Sequence, residues 1–145
     1  MLSLMLNQYD TDRRGPYCVK ITRDIPPCWD EPLLAIQYGY STALPAPGEK
    51  AWVSFMEINP VVEYGKTYRI VVHTLPGWEL WDGEKWVGGQ PAGTMSWWGS
   101  ASNNPYPRGM YWTGCNIRDQ SGYWRSEPTE DHAFILFQRC PSLPS

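Results

Sequence analysis

A chain of 145 residues is long enough to bury a single-domain core without relying on metals or cross-links. Its 12 Lys plus Arg face 15 Asp plus Glu, giving a net charge of -3 and a pI near 5.3, so no surplus of cations exists to neutralise phosphates. This argues against duplex nucleic acid and acidic membrane surfaces as partners.

Leu2, Leu4 and Leu6 alternate with smaller or more polar neighbours, the period of a half-buried strand. The apolar start is cut short by Asn7, Gln8 and Asp10 and has neither the length nor the basic opening of a signal peptide. A secreted protein of this sequence is expected to have lost its signal or to belong to a longer chain. After a polar turn, Tyr17, Val19 and Ile21 resume the alternation, and Pro26-Pro27 stops it, because proline cannot donate to a central ladder.

Residues 33–40 form the next predicted strand, with Leu34, Ile36, Tyr38 and Tyr40 on one face. Pro45-Ala46-Pro47-Gly48 is a loop, and Trp52 to Ile58 reads as a strand with two partly apolar faces. The clearest strand spans 67–74, where Tyr68, Ile70 and Val72 alternate with Arg69, Val71 and His73 and the β-branched content disfavours a helix. Asp82-Gly83 then signals a type I′ hairpin that brings Trp81 close to Trp86. From 88 to 126 the chain is rich in Gly, Pro, Asn and Ser, with extended pieces expected at Met95-Ser96-Trp97-Trp98, Met110-Tyr111-Trp112-Thr113 and Tyr123-Trp124. A closing strand is expected over 132–139, and residues 141–145 read as a tail or linker.

Seven to nine short runs separated by turn signals, with no helical stretch able to cover a sheet, predict an all-β antiparallel β-sandwich, jelly-roll-like, as a single domain over residues 1–140. No apolar run approaches the length of a transmembrane helix. The four cysteines, Cys18, Cys28, Cys115 and Cys140, allow three pairings. The Pro-rich loop between the first two favours Cys18 with Cys28, and Cys140, just after the last apolar run, is expected to tie it back to the loop holding Cys115; such disulfide bonds suit a secreted or cell-surface location.

The segment from Gly122-Tyr123-Trp124 through Asp131-His132-Ala133-Phe134-Ile135-Leu136-Phe137 resembles the end of secreted bacterial and archaeal jelly-roll surface modules of the choice-of-anchor type, which are similar to carbohydrate-binding β-sandwiches. Gly65-Lys66-Thr67-Tyr68-Arg69-Ile70-Val71-Val72 looks like their turn-and-strand element, and Tyr17-Cys18-Val19-Lys20-Ile21 like an early strand. The resemblance implies a non-catalytic module appended to a surface protein or hydrolase, with structural calcium near Asp131. Asp131 and Glu130 supply the hard oxygen ligands such an ion needs.

Flat aromatic rings stack on the C–H faces of sugars while amides and carboxylates bond the hydroxyls. Trp78, Trp81, Trp86, Trp97, Trp98 and Trp112, interleaved with Asn103 and Asn104, offer both components, so the leading expectation is a poly- or oligosaccharide ligand read by exposed aromatics. The alternatives are a structural or adhesive module that self-associates or binds a protein surface, and a small glycan-active enzyme. The last would need two carboxylates facing one cleft, and none of the pairs among Glu57, Glu63, Glu79, Asp82 and Glu84 is singled out by spacing. His73 and His132 belong to no metal or triad pattern, and Arg13-Arg14 is offset locally by Asp10 and Asp12.

Overall fold

The computed structural model describes residues 1–23, 32–88, 94–100, 111–114, 124–127, 131–132 and 134–136. In chain order the strands are β1 (Leu2–Gln8), β2 (Arg13–Arg14), β3 (Pro16–Arg23), β4 (Leu33–Tyr40), β5 (Trp52–Phe55), β6 (Tyr68–Thr74) and β7 (Glu79–Trp81). They continue with β8 (Trp86–Gly88), β9 (Met95–Trp97), β10 (Gly99–Ser100), β11 (Tyr111–Gly114), β12 (Trp124–Glu127), β13 (Asp131–His132) and β14 (Phe134–Leu136). One 3-10 turn, Ser41–Ala43, follows β4. No helix among the described residues is long and apolar enough to cross a membrane.

The chain divides into two compact units, Met1–Ser96 with Phe134–Ser145, and Trp97–Ala133. In the first unit β1 lies between β14 and β5, and β9 also pairs with β1. Leu2 and Leu4 stand opposite Phe55 and Val53 of β5, while Ser3 faces Ser54 and the two hydroxyls meet at 2.9 Å. Leu2, Leu4 and Leu6 are fully buried, each contributing roughly 1.5–3 kcal/mol relative to exposure.

The second sheet has the order β4-β3-β6, with β3 in the middle. Tyr17, Val19 and Ile21 stand in register with Thr74, Val72 and Ile70, so the apolar alternation expected for both strands lines one face. Tyr17 makes an edge contact with Phe55 of the first sheet, their ring centroids 6.4 Å apart. Burial pushes its phenol pKa above the ordinary value. A third, smaller sheet has the order β2-β7-β8 and is joined to β3 through Gly15.

In the other unit β10 pairs with β13 and β11 with β12, each as a two-stranded antiparallel ladder.

The all-β, antiparallel character is therefore as expected, but the sandwich is corrected. Among the described residues no sheet closure is found, and in place of the seven to nine strands expected short strands pair in several small sheets. The physical cause lies in turn chemistry: β5 stops at Phe55 because the Ile58 N–H folds back onto the Phe55 carbonyl, where the sequence pattern ran on to Ile58. Of the expected closing strand, β13 and β14 supply residues 131–132 and 134–136, and residues 133 and 137–139 lie outside the described residues.

The disulfide framework is corrected as well: no disulfide bond is found among the described residues. Cys18 is fully buried in the central strand β3, where register sets Tyr38 on one side and His73 on the other, so neighbouring strands fill the space beside it. Cys28, Cys115 and Cys140 lie outside the described residues.

Candidate functional site

The β2-β7-β8 sheet carries an exposed aromatic residue, Trp81, beside a second indole and an ion pair. The hairpin forms where Asp82-Gly83 predicted it, with Trp81 and Trp86 directly opposite, but its loop holds four residues instead of the two of a type I′ turn. The Asp82 N–H donates to the Lys85 carbonyl at 3.1 Å, and the Asp82 carboxylate accepts the N–H groups of Glu84 at 2.9 Å and Lys85 at 2.8 Å. Those two bonds hold the Asp82 carboxyl below its ordinary pKa of 3.8. Gly83 supplies the positive φ of 100° that an L side chain would resist.

Glu79 and Trp81, two residues apart, share a face, and register adds Arg14 beside Glu79 and Trp86 beside Trp81. The indoles of Trp81 and Trp86 meet edge to face with centroids 5.5 Å apart at 61°. The Arg14 guanidinium stacks 3.9 Å from the centre of the Trp86 ring and its Nε donates to Glu79 Oε2 at 2.8 Å. Trp86 is thus held between a cation and a second ring, and the ring with open surface is Trp81, 40% exposed. On the neighbouring position Arg13 pairs with Asp10 at 3.1 Å and lies 4.5 Å over the exposed Tyr9 ring. The Trp81 N–H donates to the Asp12 carbonyl at 2.8 Å, stitching β7 to the chain entering β2.

Trp78 is only 6% exposed, and a Cβ built on Gly15 would sit 2.2 Å from its own Cβ, so it packs against the backbone instead of meeting solvent. Trp97 is half-buried, its ring 4.8 Å from that of His132, whose Nδ1 donates to the Trp97 carbonyl at 2.9 Å. Trp98 is half-buried too. Trp112 lies in β11, and Asn103 and Asn104 lie outside the described residues.

Calcium near Asp131 is corrected. Among the described residues no group of three or more His, Cys, Asp or Glu could hold a metal ion. Asp131 is drawn into the β13 ladder opposite Ser100, and Glu130 lies outside the described residues.

The residues that sequence reasoning undervalued are Arg14 and Glu79. They are 65 positions apart, and only the β2–β7 ladder brings them together. No protein-family model, curated protein or solved structure matches the chain.

Proposed function

We propose that the protein is a non-catalytic carbohydrate-binding module whose contact surface is the Trp81 face of the β2-β7-β8 sheet. The observation that carries this reading is a partly exposed indole with Trp86 edge to face beside it and an Arg14–Glu79 pair on the same face. A pyranose stacked on Trp81 would find in Glu79 an acceptor and in Arg14 donors beyond the one spent on Glu79, since a guanidinium has five. A pre-braced ring loses little freedom when sugar binds, which favours affinity. The carboxylates near it already have structural duties: Glu79 balances Arg14, and Asp82 caps the hairpin loop. This favours binding over glycoside hydrolysis. The likeness of the segment from Gly122 to Phe137 to choice-of-anchor modules supports a role on a surface protein or beside a hydrolase.

The test is retention on polysaccharides in affinity gels, compared for the wild-type chain and the Trp81→Ala variant. Retention that Trp81→Ala abolishes supports the reading, and equal retention of both rejects it.

A second reading, an adhesive or self-associating module, is favoured by β4. Among the described residues it is an edge of its sheet, in which Leu33, Tyr38 and Tyr40 are exposed, Tyr38 at 66%. Such an edge offers unpaired backbone and apolar surface to another chain. Concentration-dependent sedimentation without sugar distinguishes it.

A further inference from the structure

We infer that the Trp81 face selects uncharged glycans and rejects anionic ones. This rests on the carbohydrate reading above and adds the charge class of the ligand.

Arginine recognises carboxylate or sulfate through charge as well as its planar fork of donors, and here the charge of each β2 arginine is already balanced by a carboxylate of the chain. The Arg14 plane is stacked on Trp86 and its Nε is engaged by Glu79 at 2.8 Å. Arg13 is paired with Asp10 at 3.1 Å and lies over Tyr9. The positive charges of β2 are thus matched one for one.

What remains beside the exposed ring is negative. Asp12, whose carbonyl accepts the Trp81 N–H, is exposed, and so are Asp82 and Glu84 in the hairpin loop, against the single cation Lys85. The loop geometry keeps Asp82 charged, because two backbone N–H groups point at its carboxylate. Asp82 follows Trp81 directly and Asp12 is joined to it by a backbone bond, so an anionic sugar on the ring meets local negative charge that salt screens only over roughly 8 Å. The net charge of -3 on the whole chain adds repulsion for a polyanion. A neutral hydroxyl meets no such barrier, since it donates to Glu79 and accepts from Arg14 alike.

The experiment compares the full chain on two panels at low and high salt: mixed-linkage β-glucan and galactomannan as neutral probes, polygalacturonate and heparin as anionic ones. Retention on a neutral probe alone, insensitive to salt and lost in Trp81→Ala, is the expected result. The double variant Asp12→Lys with Glu84→Lys leaves both ion pairs in place and is expected to raise anionic retention by about tenfold at low salt. Anionic retention by the wild type equal to or above neutral retention, and dependent on Trp81, overturns the charge selection while leaving the glycan reading intact. Retention on neither panel rejects the carbohydrate reading itself and this inference with it.

Discussion

The guanidinium of Arg14 lies 3.9 Å from the centre of the Trp86 ring, and the same side chain reaches Glu79 at 2.8 Å. One residue therefore links all three strands of the smallest sheet in the first unit, β2, β7 and β8. Removing it should loosen the hairpin that presents Trp81. We expect Arg14→Ala to cost about 1 kcal/mol in chemical denaturation, and a double-mutant cycle with Trp86→Leu to show a coupling of about 0.5–1 kcal/mol. Arg14→Lys keeps the charge but not the planar stack and should recover only part of the loss. A coupling of zero would mean that the stacking has no energetic content.

Two tryptophans three residues apart should behave oppositely. Trp78 is buried against Gly15, and Trp78→Ala is expected to destabilise by about 3–5 kcal/mol. Trp81 is partly exposed, and Trp81→Ala should forfeit only the ring pair, about 0.5–1.5 kcal/mol, while abolishing glycan retention. Melting curves and affinity gels run on both variants separate the two roles. A Trp81→Ala protein that melts like Trp78→Ala would place Trp81 in the core.

Gly39 stands opposite Tyr17 in the β3–β4 ladder, and a Cβ there would meet the Tyr17 ring at 2.4 Å. The aromatic ring lies over the space that the glycine leaves open. Gly39→Ala must push the ring away from its edge contact with Phe55 and is expected to cost about 1–3 kcal/mol. Urea denaturation measures it, and a neutral result would show that Tyr17 has another rotamer within reach.

Acid should open the hairpin loop before the core. Asp82 has a pKa below 3.8 in the folded chain, so its contribution is fully present above the unfolded value and is lost as pH falls through the lower, folded one. The far-ultraviolet exciton signal expected of the Trp81–Trp86 pair should therefore persist at pH 5 and fade in strong acid. In Asp82→Ala it should be weak at every pH. An acid transition of equal amplitude in wild type and variant would assign it to another carboxylate.

Local alternation was enough to locate β1, β3, β4 and β6, because a residue's choice of face in a pleated strand is settled by its immediate neighbours. The place of the hairpin was legible from Asp82-Gly83, but its loop of four residues in place of a type I′ turn was not. The strand ends were less visible. The fold-back of Ile58 onto Phe55 is a choice between a ladder bond and a turn bond, and both suit the same residues.

The site was legible in part. Trp81 and Trp86 could be paired from the hairpin alone, but nothing in composition separates the buried Trp78 from the exposed Trp81, since both indoles flank turn residues. Exposure is a property of what packs against a ring, and for Trp78 that is Gly15, 63 positions away. The same holds for Cys18, whose surroundings are set by Tyr38 and His73 on adjoining strands.

The amino-acid order by itself thus determined that the chain is built of short antiparallel strands and where its strongest turn lies, because backbone preference and side-chain period act over a few residues. The grouping of strands into sheets, the joining of Arg14 to Glu79 and Trp86, and the exposure of Trp81 beside the buried Trp78 were decided by tertiary structure. Those outcomes depend on contacts between distant segments, whose free energies no local pattern encodes.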